Sequence, residues 1–220
     1  MAWRAMAVEA KICGLTRPED AALAAAHGAW RLGVIFAGGP RVVTTARARA
    51  IVAAGDGVPV LGVFGRQPLR TMLETASRAG LAGIQLHGEH DPRVARELHR
   101  QGLEVWQVVA VDAETDLAAT LREAAADADA LLIEAKVPGG SGGKGIAVAL
   151  DLARAARAAA PGTRFVLAGG LTAESVGEAI RVVAPDAVDV SSGVESSPGV
   201  KDPGRLARFL ENVLAAGSAA

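Results

Sequence analysis

Eight short runs of β-branched and apolar residues are spaced along this chain, and each run but the last is separated from the next by a stretch of helical character. The runs are VEAKICG (8–14), RLGVIF (31–36), VPVLGVF (58–64), LAGIQLHG (81–88), EVWQVVA (104–110), ADALLIEA (128–135), RFVLAGG (164–170) and AVDVSSG (187–193). Helix start signals stand between them: Pro18 with Glu19 and Asp20, Thr44, Pro68, Asp91 with Pro92, Asp116 and Thr172. Gly80 and Gly102 sit where C′ glycines belong. Short strands joined by helices pair in parallel, because a parallel pair needs a long crossover. Eight units in 220 residues average about 27 residues each, near the ~30 of a minimal βαβ unit. The expected fold is therefore α/β, a single-domain (β/α)8 barrel over residues 1–220. A doubly wound open sheet competes less well, since it has fewer strands and a Gly-rich turn after the first.

Half the residues are hydrophobic and 21% are charged, enough to bury a sizeable core in a soluble globular protein. The formal charge of -1 gives no electrostatic reason to expect nucleic acid or an anionic membrane as partner. Any anion has to be caught locally. One cysteine in the chain cannot form an internal disulfide, which fits a reducing compartment and leaves Cys13 free. The opening MAWRAMAVEAK has no signal-peptide core, and no apolar run approaches the ~18 to 20 residues of a membrane span. A cytoplasmic location is expected.

In such a barrel the chemistry sits at the carboxyl ends of the strands. Those positions carry Cys13 after the first run, Arg41 after the second, His87 after the fourth and Glu134 at the end of the sixth. Gly169 and Gly170 follow the seventh run, and Asp189, Ser191, Ser192 and Gly193 close the eighth. Period-two alternation puts Lys11 and Cys13 on one face, and Leu132 and Glu134 on another. A carboxylate at the end of an interior strand has no packing role, because an unpartnered buried charge is costly. Glu134 is thus a candidate acid or base. The Gly-rich turns LAGGLTAES and VSSGVESSPGVKDPGR open onto helices, an arrangement that holds phosphate by backbone N–H groups. HGEHD (87–91) has the look of a metal cluster, but it leads straight into a helix and no other strand end supplies a histidine. No metal is expected, and His87 is read as lining the site.

KICGLTRPEDA, GVIFAGGPR, GIQLHGEHD, KVPGGSGGKG, LAGGLT and VDVSSGVESSPGVKD, in this order, resemble the phosphoribosylanthranilate isomerases of tryptophan biosynthesis over nearly the whole chain. The resemblance implies an Amadori rearrangement of N-(5-phosphoribosyl)anthranilate without a cofactor. It implies Cys13 as general base, the strand-six carboxyl, here Glu134, as general acid, and Arg41 as partner of the anthranilate carboxylate. Lys11, His87 and Asp189 are expected to contact substrate, and Gly169, Gly170, Ser191, Ser192 and Gly193 its phosphate. Lys11, on the same face as Cys13, is expected to favour the thiolate, since a nearby cation lowers a thiol pKa from ~8.5. The resembling family places Asp where this chain reads LLIEAK, and misplacement by ~1 Å costs on the order of 10² in rate. An aromatic residue after the glycine-lysine loop is also absent from GGKGIAVALD. Asp129, at the wrong end of its strand, and Asp189 are the alternative acids. Two other readings stand beside this one: a Schiff-base aldolase or decarboxylase using Lys11 or Lys136, and a decayed barrel that only binds a phosphorylated ligand. The expected partner is a small phosphorylated substrate, with the chain a monomer or homodimer.

Overall fold

The computed structural model describes residues 8–137 and 146–217. Eight parallel strands close into a barrel in chain order: β1 (Glu9–Ile12), β2 (Arg31–Ile35), β3 (Val60–Phe64), β4 (Gly83–Leu86), β5 (Glu104–Val111), β6 (Ala130–Ala135), β7 (Arg164–Leu167) and β8 (Ala187–Val190). The helices between and after them are α1 (Pro18–Ala26), α2 (Thr45–Ala54), α3 (Leu69–Ala79), α4 (Pro92–Arg100), α5 (Leu117–Ala125), α6 (Leu150–Ala159), α7 (Ala173–Val183) and α8 (Pro203–Gly217). Every strand-like run in the sequence supplies one strand. The KVPGGSGGKG loop falls almost wholly outside the described residues, as does most of the amino-terminal segment.

Four of the start signals work as side-chain caps. Thr44 accepts from the Arg47 N–H, Asp91 from Arg93 and Asp116 from Ala119, and Thr172 forms a capping box with Ser175. Each satisfies amide donors that the first helical turn leaves unpaired. Gly80 ends α3 in the left-handed region at φ 75°, where a Cβ would be strained.

Closure joins β1 to β8 with Lys11 opposite Asp189. Alternation then sorts the core into two shells. Leu61, Trp106, Val108, Ala130, Leu132, Val166, Ala168 and Ala187 fill the barrel interior, with Trp30 packed against them. The outward-facing residues, including Ile12, Leu32, Val34, Ile84, Leu86 and Ile133, pack beneath the helices. Trp106 is fully buried and stacks on Trp30 at 5.6 Å between centroids; burying an indole of ~200 Å² contributes about 5 kcal/mol of transfer free energy. The interior is thus plugged at its amino-terminal end. At its carboxyl-terminal end it opens.

One element was not foreseen. After β8 a single 3-10 turn (Ser192–Val194) runs into a two-stranded hairpin, β9 (Glu195–Ser197) paired antiparallel with β10 (Val200–Lys201). The Pro-Gly pair between the two strands permits it, with Gly199 at φ 81°. A Cβ on Gly199 would lie 2.9 Å from the Thr16 side chain, whose hydroxyl donates to the Gly199 carbonyl at 2.5 Å. The hairpin is therefore pressed against the loop that carries the cysteine.

Candidate active site

The open end of the barrel holds a cavity of about 840 Å³. Cys13, Arg41, His87, Glu134, Asp189, Gly169, Gly170, Ser191, Ser192 and Gly193 all line it. Two of these ten lie on strands and eight on the loops after five strands, so residues up to 180 positions apart share one wall.

Strand β1 stops at Ile12, and Cys13 begins the turn. Gly14 takes φ 71°, and a Cβ there would lie 2.6 Å from both Arg41 Cδ and Ser191 Oγ. No other residue fits. Gly33 on β2 likewise leaves space for Cys13 Sγ, which would be 2.9 Å from an added Cβ. The thiol is buried, yet its residue borders the cavity.

Lys11 does not reach the cavity. It is fully buried below Cys13, where its Nζ donates to Asp189 Oδ1 at 2.6 Å and Gln85 Oε1 at 2.9 Å. Its role as a substrate contact is therefore replaced by one in the floor, holding Asp189 in place. Burial works against its charge, but Asp189 and Cys13 outweigh this and raise its pKa. The expectation that Lys11 lowers the Cys13 pKa needs the same correction. Burial pushes the thiol up, Lys11 pulls it down, Asp189 pushes it up again, and the net direction is upward. Desolvation of a thiolate is a larger effect here than one cation that is already shared with a carboxylate.

On the facing wall, His87 Nε2 lies 3.1 Å from Glu134 Oε1. Their side chains are 24% and 13% exposed, so both can meet a ligand while staying partly shielded. The hydrogen bond to the Glu134 carboxylate raises the His87 pKa, against the opposing effect of burial. Asp129 is remote from this site; it accepts from the Val105 N–H and pairs with His99 at the start of β6. Lys136 pairs with Asp112 at 2.9 Å. Among the described residues no group of three or more His, Cys, Asp or Glu side chains is placed to hold a metal ion.

Arg41 is already engaged. Its Nε lies 2.9 Å from Glu195 Oε1 and its Nη2 2.7 Å from Oε2, a bidentate pair. Burial alone would raise the Glu195 pKa, but Arg41 and Lys201 overcome it and hold the carboxyl below its ordinary value. Lys201 is fully buried and donates to Glu195 Oε1 (2.9 Å), the Cys13 carbonyl (2.6 Å) and the Ser191 carbonyl (3.1 Å). Its backbone N–H donates to the buried Asp20 at 3.1 Å. One ammonium therefore ties the thiol's loop to the loop after β8.

Glu195, Lys201 and Gln85 are polar members that sequence reasoning did not single out, and Asp20 was read only as a helix start signal, although all four lie in the quoted motifs. Alternation from Gly83 to His87 along β4 points Gln85 inward and was a usable signal. The hairpin pairing of Glu195 with Lys201 left only the Ser-Pro-Gly turn as a clue.

The loops after β7 and β8 form a cradle. Gly169 at φ 90° would place a Cβ 2.5 Å from the Ile146 carbonyl, and a Cβ on Gly193 would sit 1.9 Å from the Leu171 carbonyl. The loop after β8 touches the loop after β7 only because Gly193 lacks a side chain, and Gly169 gives the loop after β6 the same close approach at Ile146. Ser191 Oγ is buried with no hydrogen-bond partner among the described residues, and an unsatisfied buried hydroxyl costs about 1–3 kcal/mol. An anion in the cradle would supply its acceptor. Gly193→Ala should force the loops apart, raising KM for a phosphorylated substrate at least ~10-fold with a much smaller change in kcat, as steady-state kinetics would show.

A closed parallel barrel with a thiol, a carboxyl and glycine-lined loops at its carboxyl-terminal rim has the architecture of a (β/α)8-barrel enzyme. The sequence model of a family described as N-(5'phosphoribosyl)anthranilate (PRA) isomerase matches residues 10–212. The chain belongs to that family. N-(5'-phosphoribosyl)anthranilate isomerase of Neisseria meningitidis serogroup B (strain MC58) is 39% identical over 208 residues, covering 92% of this chain and 95% of the relative. That of Cereibacter sphaeroides (strain ATH 2.4.9) is 41% identical over 210 residues, 93% and 97%. The crystal structure of phosphoribosyl anthranilate isomerase from Thermus thermophilus superimposes with a TM-score of 0.81 at 36% identity, over 94% of this chain and 99% of that one. A phosphoribosyl anthranilate isomerase in complex with reduced 1-(o-carboxyphenylamino)-1-deoxyribulose 5-phosphate gives 0.80 at 32%, over 94% and 98%.

Proposed function

We infer that this chain converts N-(5-phosphoribosyl)anthranilate to 1-(o-carboxyphenylamino)-1-deoxyribulose 5-phosphate in tryptophan biosynthesis. The observation that carries this reading is that Cys13 and Glu134 border one cavity that also contains the glycine-lined cradle. Glu134 gives its proton to the furanose ring oxygen as the C1–O bond breaks and the nitrogen lone pair forms the C1=N iminium. Cys13, as thiolate, takes the C2 proton, and the electrons of that bond neutralise the iminium to the enolamine. The enol proton then moves to C1, leaving the ketone at C2. Electrons stay within the substrate throughout, so the chemistry calls for no redox cofactor and no metal. Each proton transfer contributes ~10² to 10⁴ in rate.

Ser191, Ser192, Gly193, Gly169 and Gly170 hold the phosphate, while Asp189, fixed by Lys11, faces the opened sugar. Arg41 Nη1 makes no hydrogen bond to the described residues and is the donor that meets the anthranilate carboxylate, with Glu195 orienting the guanidinium. Arg41→Ala should raise KM ~10-fold or more while kcat changes less, since uniform binding is what it loses. Lys11 does not suit a Schiff-base role. Such a lysine must be neutral to attack a carbonyl, and its pKa is raised.

Residues 1–220 act as one domain, as a monomer or homodimer in the cytoplasm, with a small phosphorylated molecule as ligand and neither nucleic acid nor membrane as partner. Among the described residues no helix is long and apolar enough to cross a membrane. The deciding assay is loss of anthranilate-substrate fluorescence with purified protein in EDTA. Turnover is expected. No turnover with freshly made substrate would dismiss the assignment, and a lysine adduct trapped by borohydride would move it to the aldolase type.

A further inference from the structure

We propose that His87 recharges Glu134 with a proton in each turnover, so that the acid of this site is a two-residue relay. The proposal rests on Glu134 being the acid that opens the ring. The chemistry creates the need for it. Each cycle leaves Glu134 one proton short and Cys13 one proton over, and the thiol lies in the turn after β1 with no described hydrogen-bond path to the carboxyl. Some group at the carboxyl has to return that proton. His87 is the one titratable side chain hydrogen-bonded to Glu134 among the described residues, Nε2 to Oε1 at 3.1 Å.

Its placement suits a relay. The His87 backbone N–H donates to the Phe64 carbonyl at 2.8 Å, and the next residue is held by Gln107 Nε2 on the Gly88 carbonyl at 3.0 Å. The ring is thereby fixed at the end of β4 with one edge on the acid and the remainder at the cavity wall. The proton on His87 Nε2 passes to Oε1 ahead of ring opening, charging the acid and leaving a neutral imidazole, and Glu134 then gives that proton to the ring oxygen. Solvent water in the open cavity then reprotonates the imidazole. Atoms and charge balance, and no oxidant or further reactant enters.

The other charged groups around the imidazole do not displace this assignment. Arg41 is committed to Glu195, Asp189 to Lys11 and Lys136 to Asp112. His90 of the same loop hydrogen-bonds the His87 backbone, and burial lowers its own pKa, with Arg66 from the loop after β3 adding in the same direction. Cys13 stands on the opposite wall. The dominant influence on His87 is its bond to Glu134, and it acts upward from the ordinary 6.5.

A glutamine at position 87 keeps an amide donor near Nε2 but cannot carry a proton, so His87→Gln separates proton supply from positioning. The kcat/KM profile of the wild-type enzyme should inflect above pH 6.5. In His87→Gln that inflection should disappear, and the rate at pH 7 should fall at least ~10-fold, with KM changed less than ~2-fold. Full rate and an unmoved inflection in this variant would show that His87 only positions the acid, and the relay is then discarded. Imidazole NMR titration gives a second reading that does not depend on the variant folding. His87 in the wild-type protein should titrate above 6.5 and fall back in Glu134→Gln; titration at or below 6.5 in the wild type overturns the relay. A wild-type protein that does not isomerise the substrate at all sinks the assignment of the reaction instead, which keeps the two failures distinct.

Discussion

Cys13→Ser should lower kcat by at least ~10², because a serine hydroxyl in the same place is far too weak an acid to be present as its anion near neutral pH. The substitution is close to isosteric and Gly14, Gly33 and the Lys201 bond to the residue 13 carbonyl are untouched, so the far-UV circular dichroism and KM should hold. Wild-type kcat in this variant would remove Cys13 from the mechanism. The thiol can also be followed directly, since no other cysteine exists in the chain. Burial raises its pKa above the ordinary 9.0, and only the thiolate is alkylated. The rate of reaction with iodoacetamide should therefore keep climbing past pH 9 instead of levelling there. A plateau below that point would mean that Lys11 governs the thiol after all.

That direction illustrates what a sequence conceals. The alternation of Lys11 and Cys13 on one face was legible from period two, and so was the presence of a cation beside the thiol. Whether the cation or the low dielectric wins depends on depth, and depth is set by the closure of β1 on β8, which puts Lys11 opposite Asp189. The cation is thereby spent on a carboxylate before the thiol can use it. Arg41 follows the same logic. Its place after β2 was readable, but its bidentate partner Glu195 lies 154 residues away, on a hairpin whose only mark is a Pro-Gly turn. Strand ends are local properties of a chain, so Cys13, His87, Glu134 and Asp189 could be located in advance. Ion-pair partners are properties of the closed barrel, so Glu195 and Lys201 could not be assigned until the strands were in register.

Register also explains how glutamate can serve at the end of β6. Glu134 pairs with Ala110 across β5 and β6, and on the far side of β5 the end of β4 presents His87. The hydrogen bond to His87 draws the longer side chain toward the wall, taking up reach that would otherwise carry the carboxyl past the position of a shorter acid. Glu134→Gln retains size and can still bond to His87, yet has no proton to give. Its kcat should fall ~10² to 10⁴ while KM stays within a few-fold. Glu134→Asp keeps the acid but withdraws it from the imidazole by a methylene, and a loss of up to about 10² is expected from that displacement. Full activity in Glu134→Gln would transfer the role to Asp189, the one other carboxylate on the cavity wall among the described residues. Asp189 is poorly suited to it. Its Oδ1 accepts from the fully buried Lys11 ammonium at 2.6 Å, so a proton placed there would leave a buried ammonium without its counter-charge. Steady-state kinetics on the two Glu134 variants, with Asp189→Asn measured beside them, separate these outcomes: Asp189→Asn should weaken binding and loosen Lys11, and only Glu134→Gln should remove the ring-opening proton.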